Sequence, residues 1–186
     1  MNKTLLILLA LVAVFAFSLV GSYNGFVTQN QLVDQQWAQV ETQYQRRFDL
    51  IPNLVKSVEG IMKQEQKIFG DLAAARANYA GATTVDAKSA AAGQVESALG
   101  RLLVIIENYP QLKSNESVNR LMDELAGTEN RIAVERQRFN QSVTKYNLSV
   151  KRLPGSLIAG MFGFAPRSLF ASATGSEKAP EVNLAP

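Results

Sequence analysis

A chain of 186 residues with no cysteine and no histidine excludes much chemistry at the outset. It has no thiolate nucleophile, disulfide framework or zinc–thiolate site, and it lacks the commonest general base and metal ligand. The net charge of +3 is dispersed, with no basic block of the kind that marks a nucleic-acid partner.

The chain opens on an uncharged apolar run, Thr4 to Val20, TLLILLALVAVFAFSLV. At about 1.5 Å per helical residue, the stretch from Thr4 to about Gly25 spans a hydrocarbon core of roughly 30 Å. Residues 1–25 are therefore expected to form a retained transmembrane anchor. The alternative is a cleaved secretory signal, with Lys3 as its positive region and a cut near Ala16-Phe17-Ser18 or Val20-Gly21-Ser22. The run is long for a signal, and helix-compatible residues follow it without a break. Lys3 precedes the run and the next cation is Arg46, so the N-terminus is expected in the cytoplasm and the body outside.

Beyond the anchor, apolar residues recur at helical spacing at Val33, Trp37, Val40, Tyr44 and Phe48. Nothing in the composition interrupts a helix continuous with the anchor up to Phe48. Asp49 can cap a new helix with Pro52 in its first turn, which predicts a chain reversal there; a kink in one continuous helix is the alternative. The second helix is expected from Pro52 to Tyr79, on the stripe Leu54 or Val55, Val58, Ile61 or Met62, Glu65, Ile68 or Phe69, Leu72, Arg76 and Tyr79, with the charges Glu65 and Arg76 at seam positions. Gly81 to Thr84 make a turn, and Thr83 with Asp86 resembles a capping box. A third helix follows from Val85 to Asn108, with Val95, Leu99, Leu102 and Ile106 on one face, and Asn108-Tyr109-Pro110 ends it. Ser114 or Asn115 caps a fourth, whose stripe runs from Val118 through Phe139 and Tyr146 to Leu153, stopped by Pro154-Gly155.

The fold class expected is all-α: an N-terminal transmembrane helix followed by an antiparallel up-down-up-down helical bundle over residues 26–153. A glycine-broken apolar segment, residues 154–173, comes next. It is too short and irregular to span a bilayer. It either lies in the membrane interface, with Arg167 at headgroup level, or plugs the open end of the bundle. Residues 174–186 read as a disordered tail.

No constellation for catalysis emerges. Glu65, Glu107, Glu129 and Glu135 have no histidine to complete a di-iron site. No spacing resembles a calcium loop, and nucleophile-elbow, P-loop and dinucleotide fingerprints are missing. An all-carboxylate calcium or manganese site stays open as a minor alternative. Glu65, Arg76, Glu129, Glu135 and Arg136 are expected to pair across the bundle and fix its register. Asn140 and Asn147, one heptad apart, can hydrogen-bond between helices or to an orphan carbonyl.

Several blocks stand in order along the chain: Tyr23-Asn24-x-x-Val27, Gln36-Trp37-x-x-Val40 and Arg47-x-Asp49-Leu50-Ile51-Pro52-Asn53-Leu54-Val55. Then come Glu65, Ala75-Arg76 and Glu107-x-Tyr109-Pro110-x-Leu112-Lys113. The last are Glu129-x-x-Ile132-Ala133-x-x-Arg136-x-x-Phe139-Asn140 and Tyr146-Asn147. With the N-terminal anchor, these closely resemble the bacterial LemA family from Met1 to Phe170. The resemblance implies a single-pass protein of the bacterial cytoplasmic membrane with a helical-bundle body outside the cytoplasm, and it supplies no catalytic activity. Where members often carry His-Glu this chain has Gln64-Glu65, and where they carry Ala-Arg it has Glu135-Arg136.

The expectation is a non-enzymatic structural or scaffolding protein of the cell envelope with no cofactor, metal or nucleic acid. Its partners would be the lipid bilayer and further copies of itself. Arg47, Asp49, Pro52, Asn53, Glu65, Arg76, Glu129, Arg136, Asn140 and Asn147 are the polar or motif positions of the bundle. Tyr23, Phe26, Trp37, Phe162, Phe164 and Phe170 are the expected membrane or protomer contacts. The alternative is a binding module for an envelope protein, with Arg47, Asp49, Asn53 and Arg136 as its polar site.

Overall fold

Pro52 does not turn the chain. In the computed structural model, which describes residues 3–171, the first helix α1 runs unbroken from Lys3 to Glu59 with Pro52 inside it. An interior proline removes the hydrogen bond to the carbonyl four residues back and costs about 3 kcal/mol in an isolated helix. Here Phe48, Ile51, Leu54 and Val58 hold helical spacing on both sides of it and are all buried, so burial of that stripe keeps the helix going. Asp49 caps nothing; its Oδ1 accepts from Gln45 Nε2 at 2.8 Å on an exposed face. The chain passes through Pro52 as one helix, and the expected reversal there is corrected.

The reversal falls instead at residues 60–65, where Gly60 removes helical preference and Met62 is fully buried. The second helix, α2, is Gln66–Gly81, and α3 is Val85–Glu107. The α3 cap is Thr84, whose Oγ1 accepts from Ala87 N at 3.1 Å, one residue after the Thr83 expected for that role. A single turn, α4 (Pro110–Lys113), follows and buries Leu112. Asn115 then opens α5 (Glu116–Lys151), its Oδ1 accepting from Ser117 N at 3.0 Å and Val118 N at 3.2 Å. Leu153 lies past the helix and is exposed rather than part of the stripe. The last helix, α6, is Gly155–Phe162. All regular elements among the described residues are helical. The expected tail, 174–186, lies outside the described residues.

The chain divides into two compact units, and α1 and α5 each contribute a segment to both. One unit comprises residues 42–133 with Phe170 and Ala171. There the end of α1, α2, α3 and the start of α5 form the antiparallel up-down-up-down bundle. Its core is Tyr44, Leu54, Val58, Leu72, Tyr79, Val95, Leu102, Ile106, Leu125 and Ile132. The other unit holds α1 up to Glu41, α5 from Val134, α6 and the strand-free segment up to Leu169. Phe26, Val33, Val40, Phe139, Val143, Tyr146, Val150 and Ile158 are buried in it.

The N-terminal part of α1 is different in kind. Its most apolar window has a mean hydropathy of 2.7 and is 0% buried, so every large side chain there faces outward. This helix is long and apolar enough to cross a membrane. α3 meets the same length and composition test, but 44% of its window is buried, as expected of a core helix.

Candidate functional site

The polar motif residues do not gather in one cleft. Arg47 is fully buried in the bundle. Its Nε donates to Thr128 Oγ1 at 3.3 Å, and Nη2 pairs with the Glu129 carboxylate. The Thr128 hydroxyl donates in turn to the Leu125 carbonyl at 2.7 Å, so α5 presents two oxygens to one guanidinium. Nη1 has no hydrogen-bond partner among the described residues. Tyr44 lies beside this arginine, with the guanidinium carbon 6.0 Å from its ring centroid. The Tyr44 hydroxyl donates to Glu96 Oε1 at 3.2 Å, and its ring packs on Tyr79 (4.9 Å between centroids) and Phe170 (6.2 Å). One tyrosine thus ties α1 to α2, α3 and the segment after α6.

The remaining motif residues spread over the surface. Asp49 and Asn53 are exposed on α1, and Asn53 Nδ2 donates to the Asp49 carbonyl at 3.4 Å within the same helix. Glu65 is the half-buried residue preceding α2, with no capping hydrogen bond from its side chain, and Arg76 is half-buried on α2. Glu135 does not pair across the bundle: it accepts from Arg138 Nη1 at 2.7 Å, one turn along the same helix. That geometry is available to any helix carrying opposite charges three apart. Arg136 and Asn140 are half-buried and both are engaged. Beside α2 and α3, an open groove of about 750 Å³ is lined by Asp71, Asn78, Asp86, Gln94 and Arg101 among small residues. Asn78 Nδ2 bridges it to Gln94 Oε1 at 3.0 Å. Among the described residues no three Asp or Glu side chains converge as a metal would require.

In the other unit the site is a clamp on Asn147, whose heptad spacing from Asn140 marked it for a hydrogen bond but did not name the partner. Asn147 on α5 takes both backbone groups of Arg167: its Nδ2 donates to the Arg167 carbonyl and its Oδ1 accepts from Arg167 N, each at 2.8 Å. The Arg167 side chain then reaches α1, donating to Asp34 Oδ1 at 2.7 Å and Asn30 Oδ1 at 3.0 Å. Arg167 thus ties this segment to α1. Asn30 and Asp34 stand four apart on α1, a spacing that was visible, but the partner that joins them was not. Burial raises the Tyr146 phenol above its usual pKa of 10.0; Arg167 opposes that shift and Asp34 adds to it.

Two glycines set the path of this segment. A Cβ at Gly155 would stand 2.3 Å from the Ser149 carbonyl oxygen, so only glycine lets the chain turn so closely past the end of α5. Gly163 caps α6 in the left-handed region at φ 75°, and Phe164 N returns to the Ala159 carbonyl at 2.9 Å. The turn brings Phe162 and Phe164 onto Tyr23, with ring centroids 5.1 and 5.6 Å away. Phe164 also meets Phe26 at 5.4 Å. Of the six expected contact residues, Phe26 and Phe170 are corrected: both are buried within the chain, Phe26 against Phe164 and Phe170 against Tyr44. Trp37 is half-buried against Phe139 at 5.2 Å.

Replacing Asn147 with alanine removes both hydrogen bonds to Arg167, at about 1 kcal/mol each. The expected result is faster amide hydrogen exchange over residues 163–169, with exchange in the middle of α5 unchanged. Peptide-level exchange mass spectrometry checks it, and unaltered protection of 163–169 would count against the clamp.

A helical bundle carried on one long, outward-facing apolar helix, with polar side chains that join helix to helix, defines a membrane-anchored bundle protein. Residues 36–184 match the LemA family, and the chain belongs to that family. It is 30% identical over 192 residues to the magnetosome protein MamQ of Magnetospirillum gryphiswaldense, covering 84% of this chain and 66% of that protein. It is 26% identical over 203 residues to the magnetosome protein MamQ 2 of Paramagnetospirillum magneticum, covering 89% of this chain and 71% of that protein. The chain thus spans about two thirds of the length of these relatives.

Proposed function

We propose that this protein is a non-enzymatic scaffold of the bacterial cell envelope, held in the cytoplasmic membrane by α1 with its N-terminus in the cytoplasm and its body outside. The observation that carries the reading is how the polar motif residues are used. Arg47, Glu129 and Asn147 bond one element to another, and none of the three lines the open α2–α3 groove. A bundle stiffened in this way transmits position rather than chemistry. Lateral self-assembly fits the exposure of Tyr23, Val27 and Leu32 beyond the apolar run, where α1 keeps apolar side chains facing outward. The relatives named as magnetosome proteins accord with a place in a larger assembly.

The mass of the full-length protein in mild detergent, by light scattering with the detergent subtracted, tests the assembly. A discrete multimer is expected, dissociated by Val27→Glu with Leu32→Glu. A strict monomer would sink lateral assembly and favour the second reading, a binding module for an envelope protein. That reading draws support from the exposed Asp49 and Asn53 and the open α2–α3 groove.

A further inference from the structure

The helix α6 is apolar on both sides, which a surface helix of a water-soluble body is not. Ile158 and Ala159 form its inner side and are buried. Its outer side carries Leu157 and Met161, one helical turn apart and 67% and 70% exposed. From Gly155 to Ala165 there is no charged residue at all. Leucine and methionine on an outer face lose about 1.5–3 kcal/mol each if left in water rather than buried, so the arrangement calls for a covering partner.

Where α6 sits on α1 says what that partner is. Its last residue, Phe162, stacks edge-on against Tyr23, three residues beyond Val20 at the end of the exposed apolar run. At about 1.5 Å per residue, that is about 4–5 Å along the axis from the apolar run's end. The end of α6 therefore rests on α1 just beyond the exposed stretch that is long and apolar enough to cross a membrane. We infer that α6 is an interfacial membrane helix: it lies at the boundary of acyl chains and headgroups, with Leu157 and Met161 in lipid and Tyr23 and Phe162 in the aromatic layer. An interfacial helix of this kind buries its apolar face about 5–10 Å into the boundary region. The clamp on Arg167 belongs to the same device. By pinning the segment after α6 to Asn147, Asp34 and Asn30, it fixes α6 on α1 and gives the anchor a second contact with the bilayer. One helix alone swivels in a membrane; a helix with a lateral foot has a defined tilt and rotation.

The chain has no native cysteine, so single-cysteine variants report one site each. Leu157→Cys, Met161→Cys, Val20→Cys as a lipid reference and Gln35→Cys as an exposed body reference are labelled with an environment-sensitive fluorophore. The full-length protein is placed in phosphatidylcholine–phosphatidylglycerol vesicles containing lipids spin-labelled at shallow or deep acyl positions. Expected is several-fold stronger quenching by the shallow spin label at positions 157 and 161 than at 35, together with weak quenching by aqueous iodide. Iodide quenching at 157 and 161 equal to that at 35 would overturn the inference. So would shielding from both quenchers, which would place a second protein surface over the face. Both exposed positions tolerate cysteine without touching the core, and matched helical circular dichroism among the variants establishes that the fold is kept.

Discussion

Glu129→Ala is expected to destabilise the bundle by about 3 kcal/mol, more than removing the arginine it serves. Arg47 is fully buried, and deleting one partner of a buried pair typically costs about 3–5 kcal/mol because the other charge is left without compensation. The lower end applies here, since Glu129 is 52% exposed and water can enter where its carboxylate stood. Arg47→Met removes the buried charge and keeps most of the volume. Thr128 keeps its bond to the Leu125 carbonyl and Glu129 turns to solvent, so the loss is held to about 1.5 kcal/mol. The double variant Arg47→Met with Glu129→Ala should then resemble Arg47→Met alone. Urea titration of the full-length protein in mild detergent, followed by circular dichroism, gives all three values. Equal damage from the two single variants, summing in the double, would show that the pair is not coupled.

Tyr44→Ala is the second large effect, expected at about 3–5 kcal/mol, the range for truncating a buried aromatic to alanine. The ring is fully buried, and Tyr79 and Phe170 both rest on it. No neighbour is placed to collapse into the space without leaving its own contacts. Tyr44→Phe keeps the ring and loses the bond to Glu96, about 1 kcal/mol. The same titration separates the two. A phenylalanine variant as damaged as the alanine variant would mean that the hydroxyl, not the ring, holds these helices together.

Much of this molecule is written locally. The uninterrupted apolar run before Tyr23, the helical stripes through Val95–Ile106 and Val118–Val150, and the breaks at Asn108-Tyr109-Pro110 and Pro154-Gly155 each depend on neighbours within a turn or two. Propensity, periodicity and bilayer thickness are enough to read them, and the motif blocks carried the family. Pro52 shows where that kind of reading stops. Its local preference is to begin a helix, but the apolar positions on either side share one face, and burying that face outweighs the lost hydrogen bond.

The tertiary structure alone decided the long-range pairs. Arg47 meets Glu129 across 82 positions, and Arg167 reaches Asp34 across 133. Nothing in the spacing of a single helix selects such partners, because they depend on which faces meet and at what register once the helices pack. For the same reason the sequence showed that α6 is apolar but not which side is left uncovered. That follows from the turn at Gly155, which is too close for any side chain, and from the clamp that holds the segment behind it.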